Sequence, residues 1–306
     1  MQPWTSETSV PVVGIDLGGT KVRAALADAD GVILAELTEP TDGGGGRATL
    51  HQMARLVEQL TQRAGVRPLH AAVGSPGVVD AAGRFQLSFN IDELADLSLA
   101  AELESLLGIP VTVENDVNIA ALGEQWQGLG RGRQHFVVLS IGTGLGMGIV
   151  INGELYRGAR GFAGEVAYLP LGEDPRSDHA RRVGSLEAAA GTAGIRARIE
   201  DPLPPTADVQ QIFDAARRGD PVAMRIVTVE ADLLARAVLA ICAVMDPEIV
   251  IVTGGIGSDP MLVDHLRAAL AGMSPHDIHV ERSALGDRCG VIGALAAARA
   301  ARQHVS

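Results

Sequence analysis

Hydrophobic and polar positions along the chain alternate between strand patterns and helix patterns. Apolar, β-rich runs at Val10–Leu17 and Lys21–Ala27 are followed by a third at Val32–Leu37. The short Gly and Asp-Gly turns between such runs predict antiparallel hairpins. Ala48–Ala64 then carries apolar residues at helical spacing. Strand and helix signals that alternate in this way predict a mixed α/β fold.

The opening pattern recurs later in the chain, where Phe136–Ile141, a Gly-Thr-Gly turn and Leu145–Ile151 repeat the first hairpin. We therefore expect a duplicated α/β architecture of two lobes, residues 1–117 and 118–306, with a cleft between them. The last helix, Gly290–Ala301, is expected to pack back on the first lobe. Other predicted elements are strands at Ala71–Val73, Val111–Val113 and Ile249–Thr253, and helices at Leu97–Leu107, Val117–Gln127 and Pro221–Met245, the last with Ile226, Val229 and Leu233 facing inward.

Composition narrows the class of protein. The 306 residues carry a net charge of −12, which argues against a broad nucleic-acid surface because phosphate neutralisation needs Lys and Arg. Only two cysteines occur, as expected for a reducing compartment without a disulfide scaffold. The polar start of the chain has no signal-peptide pattern, and no apolar run reaches the ~18 residues that a membrane helix needs. We expect a cytoplasmic protein with neither nucleic acid nor membrane as a partner.

The first chemical motif is the turn between the first two strands, which reads Gly-Gly-Thr at positions 18–20. Bare glycine backbone lets N–H groups approach an anion. Thr20 adds a hydroxyl, and Lys21, the only lysine in the chain, adds a point charge. Asp16 at the strand end could orient Mg²⁺ through water. A plain hairpin turn is the structural alternative, but Gly18, Gly19, Thr20 and Lys21 together predict a phosphate-binding turn.

Two further glycine motifs fit the same chemistry. Gly142, Thr143 and Gly144 form a second bare turn between apolar strands, which predicts a second phosphate site in the other lobe. Gly254 and Gly255 follow a buried strand, and ligands of open α/β sheets lie beyond the carboxyl ends of strands. We expect a flat adenine to lie against this backbone.

Polar residues at other element ends are candidates for acid–base and sugar chemistry. Asn115 and Asp116 stand where a buried strand meets a helix, so either could be a helix N-cap. An aspartate here could instead accept a hydroxyl proton during phosphoryl transfer. Glu165 and Glu187 lie among glycines, and Asn90 lies between Phe89 and Ile91; these side chains suit hydrogen bonding to several hydroxyls. The structural alternatives are solvated loop charges for the two glutamates and a turn residue for Asn90.

Together these motifs resemble the ROK (repressor–ORF–kinase) family of sugar kinases, of which bacterial glucokinases are typical members. The resemblance implies an actin-like, ribonuclease-H-like ATPase fold, ATP with Mg²⁺, phosphoryl transfer to a sugar hydroxyl, and a homodimer. The matching stretches are Gly14–Lys21, Ser75–Asp80, Glu114–Glu124, Ile141–Gly146, Gly161–Glu165, Gly184–Glu187 and Thr253–Ile256.

The resemblance also assigns roles by position. Asp116 matches the catalytic base, and the glycine turns at 18–21 and 142–144 match the phosphate loops. Gly254 and Gly255 match the adenosine side. The positions that match sugar-binding residues are Asn90, Asn115, Glu165 and Glu187.

The chain departs from the family pattern at its structural zinc site. The family's histidine is replaced by Tyr168, and its three cysteines by Asp178, Ala180 and Ser185. We therefore expect no structural zinc, and a loop from about Tyr168 to Glu187 that is mobile until sugar binds. Because the family's histidine also touches the sugar, Tyr168 is a candidate substrate contact that leaves the identity of the sugar open.

The function predicted from these observations is an ATP-dependent kinase of a sugar, favouring the 6-hydroxyl of glucose or a related hexose. One alternative is a catalytically silent, sugar-binding regulator of ROK type. The first strand begins by Val10, which leaves no room for the N-terminal helix-turn-helix of the family's repressors. Another alternative is a kinase of an N-acylated amino sugar, which changes only the substrate.

Overall fold

The computed structural model describes residues 10–79, 85–87, 98–200, 203–204 and 206–301. These residues divide between two compact units. The first lies within Met1–Arg131, Arg157–Phe162 and Arg288–Ser306, and the second within Gly132–Tyr156 and Ala163–Asp287. The first segment of this unit runs to Arg131, beyond the boundary after residue 117 expected from the sequence, because the helix that begins at Asp116 packs along the last helix within the first unit.

The first unit is built on a five-stranded sheet. Its strands are β1 Val12–Leu17, β2 Lys21–Ala27, β3 Ile33–Pro40, β4 His70–Ser75 and β7 Val111–Asn115, with a separate pair β5 Val78–Val79 and β6 Phe85–Leu87. The sheet order is β3-β2-β1-β4-β7. The hairpin strands β1, β2 and β3 are antiparallel, whereas β1, β4 and β7 run parallel. The helices are α1 Gly46–Ala64, α2 Leu99–Leu107, α3 Asp116–Gln127 and α10 Cys289–Ala301.

The second unit repeats this plan. Its strands are β8 Phe136–Ile141, β9 Leu145–Ile151, β10 Glu154–Leu155, β11 Ile249–Thr253 and β12 Val280–Arg282. The sheet order is β10-β9-β8-β11-β12. Again an antiparallel hairpin is followed by parallel strands, so the predicted duplication is confirmed. The helices are α4 Asp178–Val183, α5 Ser185–Ala189, α6 Gly191–Ala197, α7 Val209–Arg217, α8 Pro221–Met245 and α9 Pro260–Met273.

Buried central strands and small-residue helices explain the packing of the first unit. Val12, Val13 and Ile15 of β1 are fully buried, as expected for a strand covered on both faces. Helix α10 approaches α3 so closely that a Cβ on Gly293 would lie 1.7 Å from the carbonyl oxygen of Ile119. Only glycine fits there, and α10 thereby joins the first unit. No helix in the described ranges is both long and apolar enough to cross a membrane.

The parallel strands place the candidate site residues of each unit at one edge of its sheet. In the first unit, Asp16 of β1 is in register with Gly74 of β4, and Ser75 of β4 is in register with Asn115 of β7. Asp16 and Asn115 are thus two strands apart, about 10 Å at the usual strand spacing. In the second unit, Thr253 at the end of β11 is in register with Ser140, one residue before the end of β8. These carboxyl-terminal edges are where ligands of α/β sheets bind.

Candidate active site

The first glycine turn is an exposed hairpin tip that is fixed from both sides. The N–H of Gly18 donates to the carbonyl of Lys21 at 3.0 Å, and the hydroxyl of Thr41 donates to the carbonyl of Gly18 at 2.7 Å. Gly19 is exposed, and a Cβ placed on it would meet nothing within 4 Å. Protein packing therefore does not require glycine at position 19, whereas close approach of a phosphate would.

Asp16 precedes this turn and lies at the N-terminal end of helix α10. A Cβ on Gly290, the second residue of that helix, would lie 2.4 Å from Asp16 Cγ. The carboxylate thus fills the space that any larger residue at position 290 would take. A carboxylate is stabilised near a helix N-terminus, and the fold holds this one in place at the sheet edge.

The second glycine turn is held in the corresponding place of the second unit. The carbonyl of Gly142 accepts hydrogen bonds from both the N–H and the hydroxyl of Thr192, each at 3.1 Å. Thr143 and Gly144 at the tip are exposed. The N–H of Leu145 donates to Oε2 of Glu187 at 2.8 Å. Both ends of the turn are therefore anchored while its tip stays open to solvent.

Gly254 and Gly255 lie beside the second turn. The N–H groups of Ile256 and Gly257 donate to the carbonyl of Ile141 at 3.0 and 2.9 Å, which ties the turn after β11 to the end of β8. A Cβ on Gly142 would lie 3.7 Å from the nitrogen of Gly255. The structure thus brings together these two glycine motifs, which the sequence separates by more than a hundred residues.

Asn115, and not Asp116, is the residue whose side chain caps helix α3. The side-chain oxygen of Asn115 caps α3 by accepting the N–H groups of Val117 and Asn118 at 2.9 and 3.1 Å. Its Nδ2 donates to the carbonyl of Gly77 at 3.1 Å. Asp116, the first helical residue, accepts a 2.9 Å hydrogen bond from Val117 N–H. Burial raises the pKa of Asp116, although hydrogen bonds from Val117, its own N–H and Asn115 act in the opposite direction.

A buried carboxylate beside Asp116 has a partner that the sequence analysis missed. Glu114, 7% exposed, accepts a 2.6 Å hydrogen bond from Arg157 Nε and a 2.9 Å one from Asn118 Nδ2. All three residues belong to the first unit. Arg157 lies far along the sequence in a loop without regular pattern, so no local signal marks it. Its ion pair fixes the β7–α3 junction from which Asp116 projects.

Glu165, Tyr168 and Glu187 lie together in the second unit. Burial, and then the negative charges of Glu165 and Glu187, raise the pKa of the Tyr168 phenol. Burial also raises the pKa of Glu187, opposed by its hydrogen bond from Leu145. Tyr168 is 40% exposed, and its hydroxyl donates to the carbonyl of Arg182 at 3.1 Å. The predicted sugar-binding carboxylates thus share one neighbourhood with the tyrosine that replaces the family's histidine.

Comparison with known proteins identifies the family. The sequence profile of the ROK family matches residues 12–301. The chain belongs to the ROK family. It is 32% identical to a glucokinase of Thermotoga maritima, over 92% of this chain and 95% of that protein. It is 29% identical to an N-acetylgalactosamine kinase of a Shewanella species, over 84% of each chain.

A solved structure also matches this ROK chain. A ROK family glucokinase from Streptomyces griseus, in complex with glucose and AMPPNP, superposes with a TM-score of 0.78 and 28% identity, covering 94% of this chain and 99% of that one. The expected fold class, α/β and actin-like, is confirmed. The expected enzyme class, an ATP-dependent sugar kinase, is also confirmed.

The segment that the resemblance matches to the family's zinc ligands is held by hydrogen bonds of its own side chains. It contains α4, whose N-cap Ser177 accepts the N–H of Ala180 at 3.0 Å and donates to Glu173. His179 Nδ1 lies 3.0 Å from the same carboxylate. Asp178 and Ala180, at two former ligand positions, lie within α4, and Ser185, at the third, begins α5. Among the residues that the structure describes, no group of three or more His, Cys, Asp or Glu side chains could hold a metal.

Two acidic residues before α4 also have partners. Nε of Arg176 lies 3.2 Å from Oδ1 of Asp174, whereas Glu173 is bound by Ser177 and His179. Asn90, the remaining predicted sugar contact, lies outside the described residues.

Proposed function

We propose that this chain transfers the γ-phosphoryl group of ATP to the 6-hydroxyl of glucose or a related hexose, with Asp116 as the general base. The observation that carries the proposal is the placement of Asp116, held at the β7–α3 junction with its pKa raised by burial. A higher pKa strengthens a carboxylate as a proton acceptor. Phosphoryl transfer needs such a group to hold the attacking hydroxyl in line.

The two glycine turns are proposed to receive the phosphates, together with Thr20 and Lys21, while Gly254 and Gly255 receive the adenosine. The sugar is proposed to bind Glu165, Tyr168 and Glu187. It is also proposed to bind Asn115, through the hydrogen-bonding capacity of that side chain that the helix cap does not use. Asp16 suits Mg²⁺, which binds through one or two carboxylates plus substrate phosphates, and its fixed carboxylate at the open sheet edge fits that requirement. When bound, Mg²⁺ would neutralise charge on the phosphates.

The base is tested by Asp116→Asn, which keeps shape and removes proton acceptance. We expect kcat to fall by about 10²-fold or more, with the KM values for ATP and sugar within about threefold of wild type. In the wild type, kcat should decline as pH falls through the raised pKa of Asp116, because protonation removes the base. A matched control is Asp264→Asn on α9, whose side chain is 72% exposed. If Asp116→Asn retains more than half of the wild-type kcat, the role of Asp116 is purely structural.

The substrate is tested by ATP consumption over a panel of aldoses and amino sugars. Glucose or a related hexose should give the highest kcat/KM. Preference for an N-acylated amino sugar would favour the second substrate class, which the Shewanella relative supports by its name. Sugar binding without ATP turnover anywhere in the panel would favour the silent regulator. We also propose a homodimer, which light scattering of the purified protein checks.

A further inference from the structure

Helix α8 carries a glutamate that the chemistry described so far does not use. Glu230 is fully buried, on the same helix face as Ile226 and Leu234. Burying a carboxylate is unfavourable unless it is paired and hydrogen-bonded. The partners of Glu230 therefore indicate what this buried charge does.

The two carboxylate oxygens contact the residues at the two ends of α6. Oε1 accepts the N–H of Gly191 at 2.7 Å, and Oε2 accepts a hydrogen bond from Nη2 of Arg198. Nη1 of Arg198 in turn donates to the carbonyl of Ala189 at 2.6 Å. Glu230 and Arg198 thus hold the chain on both sides of Ala190 and fix where α6 begins.

The first turn of α6 acts directly on the second glycine turn. Thr192 follows Gly191, and its N–H and hydroxyl both donate to the carbonyl of Gly142 at 3.1 Å. The carbonyl of Gly142 and the N–H of Thr143 belong to one planar trans peptide, so they point in opposite directions. Holding the carbonyl toward Thr192 therefore aims the Thr143 N–H away from α6.

We propose that Glu230 is a positioning residue for the nucleotide, acting through Gly191 and Thr192 to aim the backbone of the Gly142–Gly144 turn. The inference rests on the proposed role of that turn in binding ATP phosphates. Glu230 is fully buried and is not among the residues proposed to bind either substrate, so its effect should appear in nucleotide affinity and not in sugar affinity. A purely structural role would lower the melting temperature without this selectivity.

The experiment compares Glu230→Gln with Thr192→Val by calorimetry with AMPPNP and with the best sugar of the panel. One lost hydrogen bond is worth up to about tenfold in affinity, so we expect each variant to raise the Kd for AMPPNP about five- to tenfold. The Kd for sugar should stay within about twofold. Because both residues act through one chain of contacts, the double variant should lose less than the product of the two single effects.

Two controls separate positioning from folding. Thr192→Ser keeps the hydroxyl and should retain near wild-type AMPPNP affinity. Glu124→Gln alters another fully buried glutamate, in the first unit, and should lower the melting temperature while leaving the AMPPNP Kd unchanged. Wild-type AMPPNP affinity in both Glu230→Gln and Thr192→Val would overturn the inference, and Thr192→Val alone decides it if Glu230→Gln does not fold. A wild-type protein that binds no AMPPNP would instead refute the proposed function.

Discussion

The position of Asp16 can be perturbed without changing Asp16 itself. Gly290→Ala places a methyl group 2.4 Å from Asp16 Cγ and 2.5 and 2.7 Å from its two carboxylate oxygens. Ordinary contact between carbon atoms needs about 3.5 Å. The carboxylate, the start of α10, or both must therefore move by about 1 Å in total.

The size of the effect follows from that displacement. A misplacement of about 1 Å at a catalytic group is enough to lower the rate about 10²-fold, which is about 2.7 kcal/mol in the activation free energy. We expect kcat for Gly290→Ala to fall between about 10- and 100-fold, with a higher Mg²⁺ concentration needed for half-maximal rate. The Kd for sugar should not change, because the sugar is proposed to bind other residues.

The assay is coupled ATP consumption with Mg²⁺ varied, alongside thermal unfolding. Gly272→Ala is the matched control, since Gly272 also lies in a helix, α9, and a Cβ there meets nothing within 4 Å. That control should keep wild-type activity and gain up to about 1 kcal/mol of stability from helix propensity. If Gly290→Ala retains wild-type kcat and Mg²⁺ dependence, Asp16 does not act from the position that α10 gives it.

Two further predictions concern the glycine turns and the metal content. Gly142→Val should hinder the approach of a phosphate and raise the KM for ATP far more than the KM for sugar. Lys21→Ala should lower kcat or raise the KM for ATP, because a positive charge that faces the phosphate is lost. If calorimetry and the coupled assay find unchanged ATP affinity and activity in both variants, the two glycine turns are ordinary hairpin turns. The purified protein should contain no stoichiometric zinc, and it should keep its activity when zinc is chelated and Mg²⁺ is in excess. The prediction is wrong if elemental analysis finds about one zinc per chain and activity is lost when that zinc is removed.

The sequence predicted the parts of the site that local pattern specifies. Residues within about ten positions determine both the shape of a glycine turn between two apolar strands and its place in the sheet. The first and second turns therefore appear where they were expected, at the ends of β1 and β8. The junction at Asn115 and Asp116 was also visible, although the pattern alone did not decide which residue caps the helix.

Features that depend on contacts between residues far apart in the sequence were not predicted. Val229 was expected to face inward on α8, but it is 42% exposed, while Glu230 is fully buried. Ile226 is buried as expected, so the error is local to Val229. The inward position of Glu230 could not be read from the helix pattern, because its partner Gly191 lies 39 residues away in the sequence. The expected loop after Tyr168 contains α4, a six-residue helix with one buried residue. So short and polar a helix has no apolar period to reveal it.

The contacts of the segment from α5 to α6 explain how the chain can lack the family's zinc ligands. Glu187 is held to Leu145 from α5, and Gly191 is held to Glu230 from α6. Neither contact uses the region from Tyr168 to Ser185 in which the metal ligands would stand. Within that region Gly184, with φ +97°, lets the backbone pass so close that a Cβ would lie 2.2 Å from the carbonyl oxygen of Ala167. Glu187 and the Gly142–Gly144 turn are therefore anchored within the second unit by hydrogen bonds that a metal does not supply.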